Sequence, residues 1–372
     1  MSSLELKILA CAAEIYPDSY QLRELQFLMS RCVDVDSLIR IAFDEGLSGF
    51  LYKSLTEANL LNSLNKKHAE KLRGLYHRNA VFNLTLIHRL KEILHHLNLH
   101  NIKVVPLKGI ILLKQVYINI GLRQLTDIDL WTVDRSHGKI TRILTGLGYQ
   151  MDPVYPHTFR KDRTTIDLHS HILGAERIKA RELLFSQNQS HFYNDTHSID
   201  FEGEETLCLN KYDQIICLSL HALKHNVDRL MWLVDIKCLI ADWEGSDWEV
   251  LNDRAMSLGQ HRSVSYVIFL LHDLLGFQLS PEASKTFGAE KLFLLEKKLL
   301  SERKKKGALP VWAPVILFSP EGGLKNRFNF ILETLFPRPE ILRQVFESHE
   351  GIKVWELYMR RVCQLIGMTK NQ

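Results

Sequence analysis

Between residues 102 and 173 the apolar side chains change their period, and no other feature constrains the chain as strongly. Before this window, "LYHRNAVFNLTLIHRLKEILHHLNL" (75–99) repeats apolar residues at steps of three and four, the spacing of a one-sided helix. Inside it, "IKVVPL" (102–107) is a short β-branched run, and "TDIDLWTV" (126–133) and "TTIDLHSHIL" (164–173) alternate like strands. "IILLKQVYI" (110–118) and "HGKITRILTGLGY" (137–149) keep helical spacing between them, with Gly148 as a stop. The window therefore predicts strand, helix, strand, helix, strand. "HFYND" (191–195) and "HSIDFEGEETLCL" (197–209) are expected to extend the sheet to about residue 209.

On either side the pattern is helical. Residues 1–98 read as an N-terminal helical region, 99–209 as the α/β core, and 210–372 as a C-terminal helical domain. Residues 211–243 are expected to be long amphipathic helix, "SERKKKGALP" (301–310) a solvated charged turn or linker, and "FPRP" (336–339) a separator of the last helices. At 372 residues the chain can bury a sizeable core, and 46% apolar against 24% charged residues is ordinary globular composition. A formal charge of +4 does not argue for a nucleic-acid groove. The six cysteines stand singly, without a C-x-x-C, and read as reduced thiols. "MSSLELKILACAAEIYPD" has acids within its apolar part and does not read as a signal peptide; "VSYVIFLLHDLLGF" is too short and too interrupted to span a bilayer. A cytoplasmic protein with no membrane partner is expected.

The chemistry concentrates in "RQLTDIDLW" (123–131). On a strand, residues i and i+2 face the same way about 6–7 Å apart, so Asp127 and Asp129 present two carboxylates from one face. Buried carboxylates need a positive partner: a basic side chain, water or a metal ion. Hard divalent cations take oxygen ligands, and paired magnesium ions sit roughly 3.5–4 Å apart. Asp167, in "TIDLH" on another short strand, is the natural third carboxylate. An isolated D-x-D is also common as a solvated strand end. An EF-hand loop is excluded, because Trp131 and Val133 occupy ligand positions. Upstream, Lys108-Gly109 joins a strand to a helix, where phosphate can be received and where glycine permits close backbone approach. Arg123 adds a positive charge four residues before Asp127.

Taken together, "VVPLKGIILLKQVY", "GLRQLTDIDLWTV", "LGY", "TIDLHSHIL" and the later "LSLHALKHNVDRLMWLVDIKCLI" resemble the uncharacterised nucleotidyltransferase family of the DNA polymerase β-like superfamily. The resemblance covers roughly residues 75–240. It implies an α+β fold: a small mixed-sheet core flanked by helical regions. It also implies that Asp127, Asp129 and Asp167 are ligands for two magnesium ions, with manganese as the substitute, and that Asp167 is the base or the metal-linked activator of the acceptor. The donor would be an NTP, and the acceptor a hydroxyl on a protein, peptide, sugar or RNA end. Where the wider superfamily has Gly-Ser or Gly-Gly, this chain has Lys108-Gly109-Ile110, so Lys108 would replace a hydroxyl as a point charge.

His221, His225, Arg229, Trp232 and Asp235 recur at steps of 4, 4, 3 and 3 along a helix, which places them on one face. They form either a nucleotide-facing wall, with Trp232 stacking a base, or a structural stripe. His169 and His171 share the face of Asp167 if the alternation persists; His169 either orients a carboxylate or touches phosphate, or is a satisfied core histidine. Asn79 and Arg78, on the helix entering the core, either reach the cleft or, the plainer reading, are surface or interdomain residues; Trp355 and Tyr358 read as core. Two rival functions remain: a D-x-D glycosyltransferase, which needs alternating strands and helices ahead of the motif, and a catalytically degenerate nucleotidyltransferase fold used as a binding module. The enzymatic reading falls if Asp167 lies far from the other two carboxylates, or if a lysine or arginine plugs the gap among the three.

Overall fold

The computed structural model describes residues 3–132, 136–153, 155–174, 179–318, 323–346 and 352–365. The N-terminal region is helical, as expected: α1 (Ser3–Ala12), α2 (Ser19–Met29), α3 (Val35–Asp44), α4 (Ser48–Glu57) and the long α5 (Lys66–Leu99). Asn65 caps α5 by accepting the His68 N–H at 2.8 Å. The helix buries Leu72, Leu75, Asn79, Asn83, Leu86, Leu90, Ile93, Leu94 and Leu97, one stripe in which two members are polar.

Next come β1 (Val105–Leu107), α6 (Gly109–Gln115), β2 (Ile128–Trp131), α7 (His137–Gly146), β3 (Gln150–Met151), β4 (Thr158–Lys161) and β5 (Thr164–His169). The strands form one mixed sheet in the order β1-β2-β5-β4-β3, in which only β2 and β5 run parallel. The strand–helix–strand–helix–strand reading therefore holds, with β3 and β4 inserted before its last strand. Val133, the expected end of the second strand, lies outside the described residues.

Two expectations about the next segment are corrected. "HFYND" is not a strand but lies mostly within α8 (Ser190–Asn194), with Phe192 buried. The following residues are strands, β6 (His197–Phe201) and β7 (Glu204–Cys208), but they pair with each other and do not extend the five-stranded ladder. The hairpin leans on the edge of β1: the Leu207 N–H donates to Val104 O at 3.3 Å, and the Thr206 hydroxyl to the same oxygen at 3.1 Å.

The C-terminal region comprises α9 (Lys211–Lys224), α10 (Met231–Leu239), α11 (Gly245–Ser257), α12 (His261–Leu275), α13 (Pro281–Phe287), α14 (Leu294–Lys306), α15 (Ala313–Leu317), α16 (Gly323–Leu335), α17 (Pro339–Val345) and α18 (Val354–Leu365). Long helices follow residue 211 as expected, but the single helix expected to carry His221 through Asp235 is broken, because Asn226 and Val227 adopt positive φ (56° and 48°). The charged run at 301–310 is not a linker either: Ser301–Lys306 complete α14, which Gly307 ends in a left-handed conformation. Trp355, expected in the core, is exposed, whereas Tyr358 is half-buried and donates its hydroxyl to Pro337 O at 3.2 Å.

Within that charged run, Arg303 is fully buried. It donates to Glu45 Oε2 at 2.6 Å and to the carbonyl of Val227. Glu45 also accepts the Leu230 N–H at 2.7 Å, so one ion pair ties α14 to the N-terminal region and to the α9–α10 turn. Truncating one partner of a buried pair strands the other charge, which typically costs about 3–5 kcal/mol. Arg303→Ala should therefore lose stability on that order in urea unfolding; a loss under about 1 kcal/mol would show the pair to be dispensable.

Candidate active site

The site is built on one row across the sheet. Leu107 pairs with Asp129, Asp129 with Asp167, and Asp167 with Thr158. Parallel pairing of β2 and β5 in this register sets the two carboxylates side by side, so the sheet itself dictates their proximity. On β5 burial alternates: Thr164, Ile166 and Leu168 are buried, while Thr165, Asp167 and His169 are half-buried on the open face. Asp129 is buried, and Asp127, one residue before β2 begins, is half-buried.

Ligand atoms of Asp129, Asp167 and His169 lie within 4.8 Å of one another. His169 Nε2 is 2.7 Å from Asp129 Oδ1, and the Thr158 hydroxyl donates to Asp167. This set differs from the expected one, since a histidine joins two of the aspartates and Asp127 is not in the cluster. Asp127 is nonetheless coupled to it. Burial pushes its carboxyl up to about 6, helped by the negative charges of Asp129 and Asp167 and opposed by Lys108.

Lys108 occupies a position that the motif alone did not indicate. Its Nζ donates to Asp129 Oδ1 at 2.5 Å. Burial alone would raise the Asp129 carboxyl, but Lys108 and His169 hold it well below the usual range. Lys108 offers one positive charge to three carboxylates, and at Asp127 it opposes, without overcoming, the combined effect of burial and the two neighbouring acids. A lysine at Asp129 is the arrangement set out above as counting against the metal, and it is present here; against it stands the convergence of a second acid, Asp167, and an imidazole, donors that suit magnesium or manganese.

Gly109 serves a different purpose from the expected one. The left-handed residue at the strand–helix joint is Lys108 (φ 58°), and Gly109 instead makes room for Arg123. A Cβ on Gly109 would lie 2.0 Å from Arg123 Nη1. Arg123 is itself buried and committed: Nε and Nη2 donate to the two oxygens of Asp235 at 2.8 and 2.6 Å. Tyr117 donates its hydroxyl to the same Asp235 at 2.7 Å. Asn83 Nδ2 donates to Ile120 O (2.6 Å) and Arg123 O (2.7 Å), holding the loop that leads into β2. Asn83 could have been found as a polar residue on the apolar stripe of α5, and Tyr117 and Thr158 carry no comparable signal.

The five-residue stripe divides at the helix break. Asp235 lies on α10 beneath Arg123, while His221, His225 and Trp232 gather with ring centroids 4.6, 4.7 and 6.2 Å apart. Arg229 lies 6.0 Å from the centre of the Trp232 ring, whose N–H donates to Asp228 at 2.9 Å. Neither ring nitrogen of His221 has a hydrogen-bond partner. Burial, with Lys108 nearby, pushes this ring well below the usual histidine range. His221 and Lys108 both line a largely apolar pocket with Leu107, Ile111, Leu173 and Cys217. His171 lies beyond the end of β5, buried and stacked on Phe185 at 6.2 Å, so it does not share the face of Asp167.

A small mixed sheet that sets two acids abreast on parallel strands, within helical flanks, is the layout expected of a nucleotidyltransferase fold. The chain belongs to the family described as uncharacterised nucleotidyltransferase, whose model spans residues 31–276, from just after α2 to the glycine that ends α12. Neither the curated proteins nor the solved structures contain a match. Among the described residues no helix is long and apolar enough to cross a membrane.

Two outcomes test this geometry. The native state holds the Asp127 proton more tightly than an unfolded chain does, so ionising Asp127 removes stability as pH rises from the ordinary carboxylate range through about 6. Asp127→Asn should therefore raise the melting temperature of the metal-free protein at pH 7.5, with a gain that shrinks towards pH 4; an equal gain at both pH values contradicts the coupling. Gly109→Ala should destabilise the protein strongly, because Arg123 cannot yield without leaving Asp235. Denaturant midpoints equal to wild type would refute that packing.

Proposed function

We propose that the protein is a metal-dependent nucleotidyltransferase that moves a nucleoside monophosphate from an NTP to an acceptor hydroxyl. The family implies the NTP. The observation that carries the reading is the register pairing of Asp129 with Asp167 beside His169. Asp129, Asp167 and His169 would hold a divalent cation, with Asp127 completing the acidic face and magnesium the expected ion, two per site. Bound there, the cation supplies charge neutralisation for the triphosphate and the departing pyrophosphate.

The remaining work falls to side chains. The acceptor oxygen attacks the α-phosphorus as the P–O bond to the β-phosphate breaks, and pyrophosphate leaves with that bond's electron pair. Asp167 takes the acceptor's proton, and Thr158 fixes the direction its carboxylate faces. Lys108 contacts phosphate as a flexible point charge. His221, His225, Arg229 and Trp232 form the wall nearest the base, with Trp232 its stacking face. Arg123, assigned to phosphate by its place in the motif, serves through Asp235 to position the loop before β2. Gly109 acts beside it.

The glycosyltransferase alternative loses support: among the described residues one strand precedes β2, and it runs antiparallel to it. The degenerate binding module is separated by turnover. With α-labelled NTPs and magnesium, the wild type should release pyrophosphate and label an acceptor in a lysate fraction, protein, peptide, sugar or RNA. Asp127→Ala with Asp129→Ala should abolish magnesium-dependent NTP binding. Asp167→Asn should bind the nucleotide but lose turnover on the order of 10²–10⁴-fold, as expected for a missing proton acceptor. Unaltered binding by the double variant, or tight NTP binding by wild type without any turnover, would sink the enzymatic reading.

A further inference from the structure

Lys108 stands where the cation must come. Pairing of Leu107 with Asp129 brings the next residue over that carboxylate, and Lys108 holds φ 58° and ψ −133°, a costly conformation for a residue with a side chain. Asp129 Oδ1 receives Lys108 Nζ at 2.5 Å and His169 Nε2 at 2.7 Å. An ammonium group and a divalent cation on the same buried oxygen would repel each other strongly. Yet Lys108 cannot simply leave, because Asp129 would then keep only the His169 contact beside Asp127 and Asp167. The exchange becomes favourable when two things arrive together: a cation for the carboxylates and a new anion for the ammonium. A triphosphate carrying its metal provides both, and the lysine stem can follow it, since its side chain retains 20% exposure.

We propose that Lys108 is a resident counter-cation that releases Asp129 only to an incoming triphosphate, so that metal and nucleotide enter as one complex and free metal is admitted poorly. The proposal rests on the nucleotidyltransferase reading of this site. It gives Lys108 a second role, as the element that couples the two ligands.

The full chain should be titrated with Mn2+ with and without α,β-methylene nucleoside triphosphates, allowing for Mn2+ held by nucleotide in solution and following bound metal by electron paramagnetic resonance. Wild type is expected to hold Mn2+ at least about tenfold more tightly with nucleotide present, and by linkage the nucleotide gains equally from Mn2+. Lys108→Met should bind free Mn2+ at least about tenfold more tightly than wild type and lose most of that coupling. Equal Mn2+ affinity with and without nucleotide in wild type overturns the proposal, as does a folded Lys108→Met that binds free Mn2+ no better. If circular dichroism shows Lys108→Met unfolded, the wild-type comparison decides alone. Mn2+ binding without coupling defeats this inference and leaves the nucleotidyltransferase reading standing. No Mn2+ binding in either condition defeats both.

Discussion

A carboxylate in the second strand of a five-stranded sheet is the interaction on which the site depends. Asp129 is buried among apolar neighbours, and burial of an ionised acid is tolerated only when positive groups reach it. Two features of the fold meet that demand from different directions, and a third adds to it. The β1–β2 register brings Lys108 over it, the end of β5 brings His169, and β5 also adds a further acid, Asp167, at its side. A design concerned only with stability would not set Asp167 next to Asp129, because the second charge enlarges the problem the first creates. The arrangement is intelligible as a receptor for added positive charge.

The acids can be held at this density because the backbone around them is fixed by buried polar contacts. Asn83 and Asn79 on α5 grip the 119–123 loop, and Arg123 continues that grip through Asp235 into α10. Arg303 and Glu45 do the same for the turn between α9 and α10. The aromatic and histidine cluster at His221, His225 and Trp232 thus flanks a turn pinned by these pairs, and its His221 lines the same pocket as Lys108. Stability and site geometry are maintained by the same few ion pairs.

Much of this was legible from residue spacing. The alternation in "TDIDLW" and "TTIDLH" reports strands with one polar face, and that face is where Asp129, Asp167 and His169 meet. The β3–β4 pair was not legible: it is two and four residues long, and two prolines between them mask any alternation. The helix break at 225–230 was hidden because polar residues happen to keep helical spacing through a turn, with Asn226 the single hint. Arg303 was lost inside a basic run. Its burial depends on Glu45, 258 positions away, and no local pattern encodes a partner at that range. The same holds for Lys108: its residue type announced an anion partner, but only strand register reveals which anion.

The length of α5 has a mechanical consequence. Asn83 clasps the loop ahead of β2, while Asn98 and His95, up to 15 residues further on, clasp β7 through Glu204. One uninterrupted rod therefore fixes two anchor points ~22 Å apart, at 1.5 Å of rise per residue. Motions that spread the hairpin away from the loop would have to bend that rod. The α9–α10 side is held separately, by the Arg123–Asp235 and Arg303–Glu45 pairs, so no single element fixes both sides of the site.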